Sequence, residues 1–190
     1  MSSTINRVLI ANRAEVAIRI ARTLRRRGQD SVAIYSPEDT DSRHVAHSDQ
    51  QQSLAGSGAA AYLDISAVIA AAQAAGADSI HPGYGFLSER ADFAEAVQRA
   101  GLTFVGPSAS TMATFADKSA ARALAQRCGV PVIPGVASDG GMEAAQTLLA
   151  DHGAIMLKAA AGGGGRGMRI VRNAGDLEAA WQQASREAEL

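Results

Sequence analysis

A run of glycines near residue 160 has the residue types for chemistry with phosphate. Residues 162–167 read GGGGRG, and strand-like apolar segments precede and follow them at 154–157 and 168–171. Glycine has no Cβ, so its backbone can approach a phosphate closely and turn its N–H groups toward it. An ordinary two-residue hairpin turn needs at most two glycines. The pattern therefore predicts a hairpin flap that closes over a nucleotide, and a disordered surface loop is the alternative.

The same six residues also satisfy the G-x-G-x-x-G pattern of dinucleotide-binding enzymes. That fingerprint requires a helix directly after the glycines, whereas residues 168–171 alternate like a strand. The first strand, where a dinucleotide site would begin, continues as Asn12, Arg13 and Ala14 without a glycine. The Gly-Lys-Ser/Thr of a Walker loop does not occur either. A dinucleotide-binding oxidoreductase is kept as an alternative function. Unchanged NADH fluorescence on mixing NADH with the protein would exclude it.

Two lysines and one histidine are candidates for binding or catalytic residues. Lys158 ends the strand before the glycines, where its ammonium group could meet phosphate as a point charge. Lys118, at a predicted helix start, is by itself typical of a solvated lysine. His81 ends a strand, where open α/β sheets place ligand crevices, but a turn that positions the next helix is the favoured interpretation. The other histidines have no metal-like spacing with Asp, Glu or Cys, so no metal ligand is assigned. No catalytic residue is assigned either.

The bulk composition excludes several classes of protein. The chain has 190 residues, 47% of them hydrophobic and 19% charged, with a net charge of -1. These values are typical of a globular protein and give no reason to expect a nucleic acid or a membrane surface as partner. The single cysteine, Cys128, rules out an internal disulfide. No apolar run approaches the roughly 18 residues of a membrane helix, and no signal core opens the chain, so a cytoplasmic location is predicted.

Short apolar runs alternate with helical patterns over the first 107 residues. Strands are predicted at 8–11, 31–35, 79–81 and 102–105, and helices at 15–27, 65–75 and 91–100. The polar segment 38–52 is predicted to be loop with a short helical turn. Because strands that alternate with helices are typical of βαβ units, the predicted fold is α/β with a mostly parallel, Rossmann-like sheet.

The later part of the chain has a different pattern. Helices are predicted at 117–128, at 142–152 and from 176 to the end, with a short strand at 132–133 and the glycine hairpin at 154–171. The domain boundary is predicted between Gly106 and Asp117. We place it after residue 112, which gives two domains, 1–112 and 113–190.

Six motifs stand in one order along the chain. They are residues 10–22 (IANRAEVAIRIAR), 81–89 (HPGYGFLSE), 104–108 (FVGPS), 117–122 (DKSAAR), 129–135 (GVPVIPG) and 158–171 (KAAAGGGGRGMRIV). Together they resemble the N-terminal part of a biotin carboxylase, the ATP-grasp component of biotin-dependent carboxylases such as acetyl-, propionyl- or acyl-CoA carboxylase and pyruvate carboxylase. The resemblance covers nearly the whole chain. Carbamoyl-phosphate synthetase is a neighbouring ATP-grasp enzyme, but the second and sixth motifs fit carboxylases better.

The resemblance implies a fold, an activity and a set of site residues. Residues 1–112 would form the N-terminal α/β domain, and residues 113–190 the beginning of an ATP-grasp domain with its flap. The activity implied is that of a homodimeric ligase, which uses Mg-ATP and bicarbonate to make carboxyphosphate and then carboxylates biotin on a carrier domain. The nucleotide contacts implied are Lys118 and Lys158 at the phosphates, Gly163, Gly164, Gly165 and Gly167 in the flap, and Met168 near the base.

This sequence departs from the family in one residue of its first motif. Ala14 stands where the family usually has glycine. Alanine is a better helix former than glycine, and its Cβ makes a left-handed backbone at this turn less expected.

The larger departure is length, because family members continue past residue 190. The resemblance places the acidic magnesium ligands, the arginine near biotin and the glutamate that acts on bicarbonate beyond this chain. We therefore expect a fragment of the enzyme that is catalytically inactive in isolation. The alternative is a non-catalytic folding and dimerisation module without nucleotide binding. The acceptor of the parent enzyme (acetyl-CoA, propionyl-CoA, a longer acyl-CoA, pyruvate or urea) would be chosen by other domains.

Overall fold

The computed structural model describes residues 4–136, 140–158 and 168–188. The chain divides into two compact units, Met1–Ala116 and Asp117–Leu190, called here the first and the second unit. The boundary placed after residue 112 stays a prediction.

The first unit alternates strands with helices. Its strands are β1 (Arg7–Ile10), β2 (Asp30–Tyr35), β3 (Gln50–Ser53), β4 (Ser79–His81) and β5 (Thr103–Phe104). Its helices are α1 (Ala14–Arg26), α2 (Arg43–Ala46), α3 (Gly58–Ala61), α4 (Ile65–Ala74), α5 (Ala91–Arg99) and α6 (Ala109–Ala116), and a 3-10 turn covers Pro37–Asp39. The strands lie in the order β3-β2-β1-β4-β5, and neighbouring strands pair in parallel. The predicted α/β fold with a mostly parallel sheet is confirmed.

Strand β1 is buried on both faces because its side chains alternate between two apolar clusters. Val8 packs in a cluster with Ile20 of α1, on one face of the sheet. Leu9, the next residue, packs in a cluster with Ile80 of β4 and Val68 of α4. A strand covered on both faces reads as a continuous apolar run, which is why the sequence identifies it. Because β1 pairs in parallel with both β2 and β4, the carboxyl ends of these three strands lie at one edge of the sheet, where their following loops begin.

The structure corrects two of the element predictions. Segment 38–52 is not only loop with a helical turn, since its last residues form β3, which pairs with β2 from Val32 opposite Gln50. Strand β3 reads Gln-Gln-Gln-Ser and lies at the edge of the sheet, so half of its side chains face water and it lacks the apolar signal of a central strand. The predicted strand at 132–133 is wrong: these residues adopt no regular structure, and Ile133 is 85% exposed.

The second unit packs helices against a strand pair. Its elements are α7 (Lys118–Arg127), α8 (Gly141–His152), β6 (Ile155–Leu157), β7 (Arg169–Val171) and α9 (Ala174–Ala188). Strands β6 and β7 are antiparallel. Its buried apolar cluster consists of five residues: Ala145, Leu149, Ile155, Val171 and Leu177.

None of the helices described is both long enough and apolar enough to cross a membrane. The cytoplasmic location stays a prediction from the sequence.

Candidate functional site

The predicted glycine hairpin is framed by the antiparallel strands β6 and β7. Helix α8 ends directly before β6 at Gly153, whose φ of 72° is the left-handed conformation common at helix C-termini. The paired residues are Ile155 with Val171, Met156 with Ile170, and Leu157 with Arg169. Lys158 and Met168 each lie one position beyond the last of these pairs. The register therefore brings the predicted phosphate contact and the predicted base contact to the same end of the hairpin.

The two faces of this hairpin differ in their surroundings. Ile155 and Val171 are buried against Leu149 of α8 and Leu177 of α9. Because successive side chains of a strand point to opposite faces, the intervening residues point away from this core. They form what we call the hairpin outer face: Met156 (47% exposed), Ile170 (54%), Met168 (46%) and the exposed Lys158. Three apolar side chains beside one ammonium group provide a surface for a flat, charged ligand.

Lys118 comes from a different element of the second unit. It is the first residue of α7, and the preceding Asp117 caps this helix by accepting hydrogen bonds from the N–H groups of Ser119 (2.8 Å) and Ala120 (2.9 Å). The side chain of Lys118 is exposed. The cap explains the aspartate at this position and places Lys118 at the start of a helix.

The flap glycines Gly163, Gly164, Gly165 and Gly167 lie outside the described residues. Their contact with phosphate stays a prediction.

In the first unit, Asn12 joins the loop after β1 to the loop after β4. Its side-chain N–H group donates to the carbonyl oxygens of Pro82 (2.9 Å) and Tyr84 (2.8 Å), and its Oδ1 accepts from the N–H of Arg13 (2.9 Å). Asn12 is buried, so these bonds replace water at groups that would otherwise lack a partner. Strands β1 and β4 are neighbours at the point where the strand order reverses, which is where open α/β sheets form crevices. Asn12 thus holds these two loops together at that point of the sheet.

His81 helps to shape the second of these loops. The N–H of Gly83 donates to its Nδ1 at 3.0 Å. Burial lowers the pKa of His81, and the charge of Arg19 lowers it further, so the ring is neutral at neutral pH and Nδ1 can accept this bond. This geometry supports the interpretation of His81 as a residue that positions a turn.

A polar cluster that the sequence did not reveal lies beside the same loops. Asp39 accepts hydrogen bonds from Tyr62 Oη (2.7 Å) and from the guanidinium of Arg13 (3.0 Å), and Arg13 also lies over the rings of Tyr62 and Phe86. Burial raises the pKa of Asp39, but the bonds from Tyr62, Arg13 and Ser42 outweigh it, so the pKa lies below its usual range. Burial and the bond to Asp39 raise the pKa of Tyr62 to about 12. No sequence signal links residues so far apart in three separate loops.

The backbone at Ala14 differs from the expectation. Its φ is 53°, in the left-handed region that alanine rarely adopts. The chain turns from an extended Arg13 directly into α1 at this point, and the bonds made by Asn12 and Arg13, the two residues before it, hold that turn. These contacts outweigh the preference of alanine for a right-handed backbone.

The described residues contain no group of three or more His, Cys, Asp or Glu side chains that could hold a metal ion.

Comparisons with known proteins agree on one family. A family model described as the N-terminal domain of biotin carboxylase matches residues 4–112, and one described as the ATP-binding domain of the carbamoyl-phosphate synthase L chain matches residues 117–190. The chain is 44% identical to the biotin carboxylase of Haemophilus influenzae over 190 residues, which cover 97% of the chain and 42% of that protein. It is 45% identical to the pyruvate carboxylase of Schizosaccharomyces pombe over 188 residues, 96% of the chain and 16% of that protein.

Solved structures give the same result. The complex of Campylobacter jejuni biotin carboxylase with β,γ-ATP has a TM-score of 0.91 at 44% identity, and the match covers 97% of this chain and 42% of that one. The biotin carboxylase domain dimer of Hydrogenobacter thermophilus 2-oxoglutarate carboxylase, solved with MgADP, ADP and bicarbonate, has a TM-score of 0.88 at 36% identity over 98% of this chain and 42% of that one. The chain thus spans less than half the length of the relatives it matches.

Proposed function

The chain belongs to the biotin carboxylase family, and from that premise we propose that it forms the front part of an enzyme that uses Mg-ATP and bicarbonate to carboxylate biotin on a carrier domain. The first unit would be the N-terminal α/β domain. The second unit would begin the ATP-grasp domain and supply one wall of its nucleotide site.

The observation that carries this proposal is the hairpin outer face. Met156, Met168 and Ile170 are exposed apolar side chains on one face of β6 and β7, and Lys158 lies at the end of that face next to the glycine segment. An adenine ring would gain by covering the apolar groups, and the ammonium of Lys158 would then lie beside the phosphates. Gly163, Gly164, Gly165 and Gly167 would cover the phosphates with backbone N–H groups.

The roles of the lysines follow from the chemistry of phosphoryl transfer. When the γ-phosphoryl group passes to bicarbonate, negative charge spreads over its oxygens, and fixed cations and N–H groups stabilise it. Lys118 and Lys158 would supply such cations from two different elements. Magnesium would neutralise part of the same charge when bound, but the described residues offer no acidic cluster for it, and we assign no magnesium ligand to this chain.

We expect the 190 residues alone to bind nucleotide without completing the reaction. The measurement is the dissociation constant of Mg-ATP by calorimetry, together with ADP release in the presence of bicarbonate and biotin. A submillimolar dissociation constant without ADP release is the expected result. No affinity for Mg-ATP would favour the alternative, a module that only folds and pairs, and biotin-stimulated ADP release by this chain would overturn its proposed inactivity.

A matched pair of variants tests the hairpin outer face directly. Ile170→Glu places a carboxylate where the base and phosphates would lie, and we expect the dissociation constant of Mg-ATP to rise at least about tenfold, equivalent to 1.4 kcal/mol. Ile133→Glu is the control, because Ile133 is a more exposed isoleucine of the same unit that lies outside the hairpin. Equal effects of both variants, or none, would contradict the assignment of this face.

Homodimer formation is part of the proposal, since the Hydrogenobacter thermophilus relative is described as a domain dimer. Sedimentation equilibrium of the chain would test it, with twice 19.5 kDa as the expected mass.

A further inference from the structure

Asp117 alone separates α6 from α7, and it lies where the first unit ends and the second begins. Residues 109–127 read ASTMATFADKSAARALAQR, so neither glycine nor proline interrupts them. Alanine, the residue with the highest helix propensity, recurs on both sides of Asp117. This sequence would allow one continuous helix, so a specific interaction must account for the break.

The carboxylate of Asp117 makes that interaction. Its Oδ1 accepts hydrogen bonds from the N–H groups of Ser119 at 2.8 Å and Ala120 at 2.9 Å. In a continuous helix, the same two N–H groups would bond to the carbonyl oxygens four residues earlier, those of Phe115 and Ala116. The side chain and the backbone therefore compete for one pair of donors, and in this structure the side chain holds them.

Packing contributes little to this choice. Phe115 is 59% exposed, Asp117 and Lys118 are exposed as well, and α7 buries none of its residues. In contrast, α6 is anchored by Met112, which belongs to the apolar cluster that contains Leu9. Because α7 has no such anchor, the cap is the main determinant of where one helix ends and the next begins.

We propose that Asp117 is a positioning residue for Lys118. By keeping α6 and α7 as two helices, its carboxylate sets the position from which the ammonium group of Lys118 reaches the phosphates of the nucleotide. This inference rests on the proposed function, which gives Lys118 that role. Without the cap, residues 109–127 would join into one helix, and the side chain of Lys118 would take its direction from α6. The carboxylate itself need not touch the nucleotide.

The helix break is measured without nucleotide, from the ¹³Cα chemical shifts of residues 115–120 in the full chain. Asp117→Ala removes the acceptor, and we expect the chemical shift of residue 117 to become that of a helix. Asp117→Asn and Asp117→Ser retain a side-chain oxygen that can cap, so they should retain the break. A break that persists in Asp117→Ala would overturn the proposal.

The dissociation constant of Mg-ATP, measured by calorimetry on the same variants, shows whether the break matters to Lys118. Asp117→Ala should raise this constant at least about tenfold, because it displaces a charged hydrogen-bond donor, while the other two variants should stay within about twofold of the unaltered chain. Equal losses in Asp117→Ala and Asp117→Asn would show that the charge of Asp117 acts rather than its cap, and would overturn the proposal. No affinity of the unaltered chain would overturn the proposed function and with it this role of Lys118, whereas the chemical shifts decide the helix break by themselves.

Two further variants separate positioning from the loss of a cap in general. In the background of Lys118→Gln, Asp117→Ala should change the dissociation constant by less than about twofold, because the side chain through which it acts is already removed. Asp64→Ala is the matched control, since Asp64 caps α4 by accepting from the N–H of Ala67 at 3.0 Å. It should lower stability but leave Mg-ATP binding unchanged. Additive effects of the first pair, or an equal loss of binding in Asp64→Ala, would contradict the role assigned to Asp117.

Discussion

Ala14 has a left-handed backbone although it carries a Cβ. For an L-residue this conformation costs about 1–2 kcal/mol, whereas glycine adopts it freely and loses only about 0.5–1 kcal/mol in chain entropy. We therefore expect Ala14→Gly to raise the free energy of unfolding by about 0.5–1 kcal/mol, measured by urea denaturation.

The control for this substitution is Ala70, an exposed alanine inside α4 that has no positive φ. Ala70→Gly should lower stability by about 1 kcal/mol, the ordinary cost of glycine in a helix. If Ala14→Gly were as destabilising as Ala70→Gly, the left-handed conformation at residue 14 would be wrong.

Tyr62 gives the protein a pH dependence in the alkaline range. Burial and the hydrogen bond to Asp39 raise its pKa from 10.0 to about 12, so the folded state favours the neutral phenol. The stabilisation is complete below pH 10, where the unfolded phenol is also neutral, and it is lost as the pH rises toward 12. Between these values we expect the free energy of unfolding to fall by about 1.4 kcal/mol per pH unit relative to Tyr62→Phe.

Urea denaturation of both proteins at several pH values from 8 to 12 measures this difference. Other groups that titrate in this range are common to the two proteins, so their effects cancel. At pH 8 the variant should be less stable by about 1 kcal/mol, because it lacks the hydrogen bond to Asp39. A stability difference that stays constant with pH would contradict the raised pKa.

At the scale of elements, the loops after β1 and β4 pack closely against each other. Two glycines of the second loop show how closely. Gly83 and Gly85 have nearly the same φ, 69° and 68°. A Cβ on Gly83 would lie 2.7 Å from Asn12 Nδ2 and 2.7 Å from Val16 Cγ1, whereas a Cβ on Gly85 would meet nothing within 4 Å. Gly85→Ala should cost about 1–2 kcal/mol of backbone strain.

Gly83→Ala should cost at least about 2 kcal/mol more than Gly85→Ala, because it also displaces Asn12 from its two carbonyl partners. Urea denaturation of the two variants gives this difference, and Gly85→Ala is the control for backbone strain alone. Equal losses of stability would show that the two loops are not packed as described.

The sequence predicted those elements that are marked by apolar burial or by helical spacing. β1 and β2 contain runs of buried, mostly apolar residues, as expected for strands covered on both faces. β4 reads Ser-Ile-His, and it was recognised from the Pro-Gly break that follows it. β3 was missed because an edge strand of glutamines and serine has no such signal. The strand predicted at 132–133 failed for the opposite reason: two β-branched residues favour a strand locally, but a strand needs a neighbour to pair with.

The candidate site was predictable in its residues more than in its geometry. Lys158 and Met168 were marked by the motif, and strand alternation was already visible on either side of the glycines. Met156 and Ile170 complete that face, and the same alternation was the signal that could have found them. The Arg13–Asp39–Tyr62 cluster could not be predicted, since it depends on where three loops meet.

At the scale of the whole molecule, the two units have cores of unequal size. The first unit buries two clusters, one on each face of its sheet, while the cluster described in the second has five buried residues and α7 buries none of its side chains. Because little apolar surface is buried there, we expect local opening of the second unit to require less free energy. Native-state hydrogen exchange should show amides of β1 and β2 exchanging at least about tenfold more slowly than those of β6 and β7. Equal protection of the two units would contradict this.

The pairing of Met156 with Ile170 also imposes a parity rule on changes of length in the hairpin strands. Inserting one residue directly before Ile155 would shift β6 by one position, turning Met156 toward the core and Ile155 toward water, while two inserted residues would restore the original orientation. A library of insertions at this strand should therefore yield folded proteins in alternation, with even-numbered insertions tolerated and odd-numbered ones lost.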